Sequence, residues 1–232
     1  MALAFASYAV QTTLLAPLRQ LEYKRMTSSN GTLGCIRSLK ANGARDALRG
    51  NAVAVLSWFP NNAVRRLFPR WWRQYAPRIM VDLFGESRFV RAMPVAALPY
   101  VALSLPFMNL GVLLTVDESG ATVRGAVEKK RWGLFSGFAA AMGGAFAYRF
   151  AFMCLADVVK NKYCLMALTR AAAHPFDVIC KQQAVSGGGV VATTKRILGR
   201  GGWRALYAGF ALSCAHVLAY EALAKVMKKA LG

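Results

Sequence analysis

The chain has 232 residues, 56% of them apolar, and carries 30 Lys and Arg against 10 Asp and Glu for a formal net charge of +20. A soluble core does not require that apolar share, and the charges fall between apolar runs, which points away from a soluble globular domain. The basic groups Lys24-Arg25, Arg65-Arg66, Lys129-Lys130-Arg131 and Lys228-Lys229 stand at the ends of apolar segments. That placement suits anionic lipid headgroups, and no nucleic-acid-binding module accompanies it.

In chain order, the first apolar stretch covers 2–18, and its N-terminal part lacks the basic leader of a secretory signal, so it reads as mature sequence. A second stretch covers 48–64. The clearest one, 92–116, runs 25 residues without a charge, enough for a helix to cross a hydrocarbon core of roughly 30 Å. Residues 133–155 hold one charge, Arg149, and 208–223 hold only Glu221 besides His216. Both read as membrane spans. The segments 2–18, 48–64 and 163–173 are short for independent crossings and need neighbours. Cys35, Cys154, Cys164, Cys180 and Cys214 are scattered without a CxxC, which argues against a disulfide or zinc framework.

Three internal segments match: Gly43-Ala-Arg-Asp-Ala-Leu-Arg-Gly50, Lys130-Arg-Trp-Gly-Leu-Phe-Ser-Gly137 and Gly202-Trp-Arg-Ala-Leu-Tyr-Ala-Gly209. Each leads into an apolar run. Upstream stand Pro17, Pro106 and Pro175, at proline-to-glycine spacings of 33, 31 and 34 residues. Such agreement predicts three units, 1–80, 81–160 and 161–232. Each is an apolar helix bent at proline, a connecting segment and a second apolar helix opened by glycine.

These features make the chain resemble the mitochondrial carrier family, nearest in appearance to the ADP/ATP carrier. Arg49-Gly50-Asn51 followed by Phe59-Pro60 is similar to that carrier's second helix. Gly133 to Phe138, Tyr148-Arg149 and Asp157 to Lys160 are similar to its fourth, and Pro175-Phe-Asp177 with the block from Trp203 to Phe210 completes the third unit. The resemblance implies an all-α six-helix membrane bundle with pseudo-threefold symmetry in the mitochondrial inner membrane. It also implies cardiolipin at the helix starts, near Gly50, Asn51, Gly137 and Gly209, where unpaired N–H groups favour phosphate.

The chain departs from the family's charge pattern, in which each proline is followed by an acid two residues on and a base five residues on, forming a gate of ion pairs. Here the first unit has Arg19 and Glu22 with signs exchanged, the second Met108 and Gly111, and the third Asp177 and Cys180, with Lys181 one residue out of register. One residue of slip turns a helical side chain by about 100°. At the far ends of the second helices, Asp157 and Lys160 retain the family's acid–base spacing, whereas the first unit has Arg70 and Arg73. The third unit ends in Lys228-Lys229, with Glu221 and Lys225 nearby.

Seven residues past the repeat glycines stand Ser57, Gly144 and His216, so the arginines with which the resemblance would bind nucleotide are missing. Gly144, Tyr148 and Arg149 match the carrier's site region, with packing and internal pairing as their ordinary alternatives. Pro17 to Pro106 is 89 residues but Pro106 to Pro175 only 69. The first and fifth helices are therefore expected to be short, exposing Arg149, Lys162 and Arg170 unless a partner covers them. The segment from Arg70 to Tyr75, rich in Arg and Trp, fits an interfacial belt or a docking surface. His174 and His216 lack catalytic partners; His174 has only Asp177 nearby, a local contact. No phosphate loop, metal motif or nucleophile motif occurs, so neither an enzyme nor a bound cofactor is expected beyond cardiolipin. The combined losses predict a non-transporting accessory subunit of a larger inner-membrane complex, a respiratory complex or ATP synthase. A reduced carrier of a small anionic metabolite is the alternative.

Overall fold

The computed structural model describes residues 2–28, 30–59, 97–116 and 122–231, with 75, 78–79, 81–82 and 85–86. Among these the regular structure is helical throughout, without a strand. The segment from Arg70 to Arg73, the pair Arg65-Arg66 and the end of the 48–64 stretch lie outside the described residues.

The chain opens with α1 (Ala2–Leu14) and α2 (Ala16–Thr27), which meet at Leu15, where φ is −90° and ψ 0°. Pro17 sits in the first turn of α2, where its missing N–H costs nothing. Hydrogen bonds from Leu15 N to Gln11 O and from Arg19 N to Leu15 O carry the path through, so the expected bend is a break between two consecutive helices. Pro106 and Pro175 behave differently. They lie inside α5 (Leu98–Val116) and α8 (Lys162–Ser186), which continue past them.

Between these stand α3 (Thr32–Ala47), α4 (Asn51–Leu56), α6 (Val123–Lys130), a 3-10 turn (Arg131–Phe135) and α7 (Phe138–Leu155). The chain ends with α9 (Val190–Ala205) and α10 (Phe210–Leu231). Helix α8 has 25 residues, about 37 Å at roughly 1.5 Å per residue. The helix as a whole is long, and what is short is the part that the proline spacing marks, residues 162–174 before Pro175. Only 156–161 is needed to turn out of α7, because Asn161 caps α8 at once by accepting from Tyr163 N and Cys164 N at 2.9 and 3.3 Å. The shortening is confined to the part of the helix before Pro175.

Among the described residues, three helical stretches are long and apolar enough to cross a membrane: Leu98–Val116, Gly133–Leu155 and Phe210–Lys229. Within the apolar stretch of each of the latter two, only 11% and 6% of the residues are fully buried within the protein, the others being half-buried or exposed. The interior combines apolar clusters, such as Leu105, Val178 and Ile179, with many buried polar groups, among them Gln20, Glu22, Asn109, Thr169, His174 and Lys181. Exposed apolar helix faces together with polar groups turned inward suit helices solvated by lipid.

A recurrent contact organises the helices. Gly50, Gly137 and Gly209 all adopt left-handed φ, at 68°, 85° and 82°, immediately before α4, α7 and α10. Each lies against the helix that follows in the next unit, five residues past its proline. A Cβ on Gly50 would lie 3.1 Å from Gly111 O; on Gly137, 2.9 Å from Cys180 Sγ; on Gly209, 3.5 Å from Glu22 O and 3.4 Å from Met26. The third contact returns to the first unit, so the three junctions close a ring.

Candidate functional site

A concavity of about 550 Å3 lies among α1, α2, α4, α5, α8 and α10. Arg19, Arg170, His216 and Glu221 supply its charged or titratable lining, with Ser57 and Tyr8 on the wall formed by α4 and α1. Ser57 donates to Ala54 O at 2.6 Å, and Tyr8 Oη lies 3.3 Å from the same carbonyl and 3.4 Å from Ser57 Oγ. Arg19 donates to Asn51 Oδ1 at 3.0 Å, and Asn51 Nδ2 donates to Thr13 at 2.9 Å. Asn51 thus ties the start of α4 to α1 and α2.

Beneath the lining, Glu22 is buried between two other helices. His216 Nδ1 of α10 is 3.0 Å from one carboxylate oxygen, and Arg170 Nη2 of α8 is 3.8 Å from the other. Arg170 also donates to Ser213 Oγ at 2.8 Å. A carboxylate withdrawn from water needs such compensation, and α8 and α10 supply it together. Arg170, expected to meet lipid unpaired, instead turns inward to this cluster, because a buried carboxylate is within reach. Lys162, expected to do the same, pairs with Glu221 at 2.9 Å.

Ser57 and His216 share the cavity, but Gly144, Tyr148 and Arg149 are not part of its lining. Gly144 is a close approach of α7 to α8: its Cβ would lie 3.2 Å from Phe176 Cβ, and that of neighbouring Gly143 2.8 Å from the Phe176 ring. Tyr148 is exposed on the outer face of α7. Of the charges near the prolines, Arg19 and Glu22 reach the cavity region, while Asp177 is half-buried beside Gly144. Lys181 is buried with its ammonium 5.3 Å from the centre of the Tyr23 ring. Asp157 and Lys160 are exposed beyond α7. The observed ion pair near that end is instead Lys162 with Glu221, joining α8 to α10. Among the described residues no group of three His, Cys, Asp or Glu is placed to hold a metal.

Sequence reading missed three buried side chains that tie the proline-bearing helices to the repeat glycines. In each unit a buried side chain of the proline-bearing helix bonds the carbonyl just before the repeat glycine. Gln20 donates to Arg49 O, and Asn109 donates to Ser136 O at 2.8 Å and to Leu134 O at 2.7 Å. His174 Nε2 lies 3.1 Å from Ala208 O. A carbonyl only accepts, so Nε2 of His174 carries the proton. His174 is thus tied to a carbonyl 34 positions away in sequence, not to Asp177. Two of the three, Gln20 and Asn109, stand three residues past their prolines, a coincidence visible in the sequence once the units are aligned.

No protein-family model and no curated protein matches the chain.

Proposed function

We propose that this chain is a carrier-type six-helix membrane protein of the mitochondrial inner membrane that does not transport. It serves as a structural subunit of a larger inner-membrane assembly, a respiratory complex or ATP synthase, with cardiolipin bound at the starts of α4, α7 and α10. The observation that carries this reading is the composition of the three junctions. Alternating access needs contacts that break and re-form at comparable free energy, as charge pairs lining a cavity do. Here the junction positions five residues past the second and third prolines are Gly111 and Cys180, pressed against glycine backbone. In the first unit Glu22 is bound to His216 and Arg170 instead of to a neighbouring gate charge. Close-packed backbone offers no exchangeable ion pair.

The alternative, a reduced carrier of a small anionic metabolite, is favoured by one feature, the cavity lined by Arg19, Arg170 and His216. Native electrophoresis of mildly solubilised membranes separates the two. The structural subunit migrates with a large complex and leaves proteoliposomes impermeable to small anions. Migration as a free monomer with saturable anion uptake would reverse the choice.

A further inference from the structure

A second groove, of about 210 Å3, lies away from the cavity, between the C-terminal part of α2, α8 and the C-terminal part of α9. Three arginines line it, Arg25 from α2 and Arg200 and Arg204 from α9, together with the Ser28 hydroxyl. No carboxylate lines it, and none of the three arginines is within ion-pair distance of a carboxylate among the described residues. Met26, Ile197 and Ala205 add an apolar share to the same lining. The volume equals that of about seven waters at roughly 30 Å3 each, room for a phosphate group with a few attached carbons.

The groove is not simply a product of the repeat. It forms where the connecting helix of the third unit meets the proline-bearing helix of the first. At the junction of units one and two, the residues in the same relation to proline and glycine are Leu114, Ala41 and Arg45. At the junction of units two and three they are Gln183, Glu128 and Trp132. At these three aligned sequence positions the third junction alone carries three basic residues, against one and none for the other two. Like charges converging on a groove repel one another unless an anion sits between them, and the planar guanidinium fork matches phosphate oxygens. Nearby, Trp203 is largely exposed with the Arg204 guanidinium 5.7 Å from its ring centre, an arrangement typical of the headgroup level of a bilayer.

We propose that Arg25, Arg200 and Arg204 form a binding site for a phosphate ester, supplied either by a phospholipid headgroup or by a small soluble phosphate compound. The proposal stands whether or not the chain transports. Its test uses the full chain purified in mild detergent, with two probes. Glycerol 3-phosphate is titrated in solution, and lipid retention is counted by native mass spectrometry after exposure to phosphatidylcholine with or without cardiolipin. The variants are Arg200→Gln/Arg204→Gln and Arg25→Gln, with Lys195→Gln/Lys228→Gln as a charge-matched control. Gln preserves helix propensity, and unliganded melting temperatures verify folding. For the responding probe, the double variant weakens binding at least about tenfold, the free-energy scale of one charge-assisted contact, while the control keeps wild-type affinity. A response to glycerol 3-phosphate identifies a soluble ligand, and loss of one retained cardiolipin identifies the headgroup. Binding of neither probe by the wild type, undiminished binding by both arginine variants, or equal loss in the control overturns the proposal.

Discussion

Gly50 sits with its Cα hydrogens toward the carbonyl of Gly111, so close that a Cβ would lie 3.1 Å from that oxygen. Its left-handed φ of 68° compounds the restriction. Two glycines thus meet backbone to backbone where α4 begins, and the same junction recurs with Cys180 opposite Gly137.

Gly137→Ala, with Cys180 Sγ at 2.9 Å and Cys180 O at 3.1 Å from the new methyl, combines a left-handed penalty of about 1–2 kcal/mol with a steric clash. Gly199→Ala, at a helical position of α9 with open space around its Cβ, carries neither penalty. Thermal unfolding in detergent should rank Gly137→Ala well below Gly199→Ala. Equal melting temperatures would remove the close-packed junction.

Glu22→Gln removes the carboxylate that Arg170 and His216 share and is expected to cost about 1.5–3 kcal/mol, the scale of hydrogen bonds to a charged group, because Arg170 stays one third exposed. Glu22→Gln/Arg170→Gln should then cost less than the sum of the single changes. Strict additivity in the unfolding free energies contradicts the cluster.

Asn109→Ala abandons two buried carbonyls, Leu134 O and Ser136 O, whereas His174→Phe abandons only Ala208 O. At roughly 1–3 kcal/mol for each unsatisfied group, the asparagine change should be the more damaging. Asn109→Asp, which accepts where donation is required, should not restore stability. Recovery by aspartate would show that the side chain does not serve as a donor.

Cys164 is exposed, whereas Cys35 and Cys180 are buried. In folded protein a water-soluble maleimide should modify Cys164 and leave Cys35 and Cys180 untouched until denaturant is added. Mass spectrometry of the labelled peptides gives the order directly. Rapid modification of Cys180 would mean that the Gly137 junction is open.

Vesicles loaded with ADP and containing the protein should take up no more ATP than empty vesicles, because Ser57 and His216 occupy positions where nucleotide-binding arginines would be needed. Robust counter-exchange refutes that reading of the site.

Much of this architecture was legible before any coordinates. The repeat glycines announced themselves by spacing, and all three have the left-handed backbone that only glycine adopts easily. The apolar runs at 92–116 and 133–155 coincide with helices α5 and α7, because long uncharged stretches leave few alternatives. Partnerships were harder. Arg170 reads as a stranded charge on its own helix, and only three-dimensional closure reveals Glu22, 148 positions earlier, as its counter-ion. His174 is similar, since its partner is a backbone carbonyl, which every residue has and no motif records. Pattern exposes what a residue requires locally; it does not expose which distant group answers that requirement.

The ring of junctions also has a temporal side. Glu22 emerges early in synthesis, but His216 follows 194 residues later, and Gln182 reaches Met26 O across 156. Until α10 is inserted, the first unit holds a carboxylate without its imidazole, and Met26 lacks the glycine backbone against which it packs. A chain interrupted before Phe210 would therefore keep Arg170 beside Glu22 but lack the His216 imidazole and the Ser213 hydroxyl that holds Arg170, leaving the acidic group only half compensated within the bundle. The last helix acts as the keystone of assembly, and the nascent protein remains an unfinished arch until it arrives.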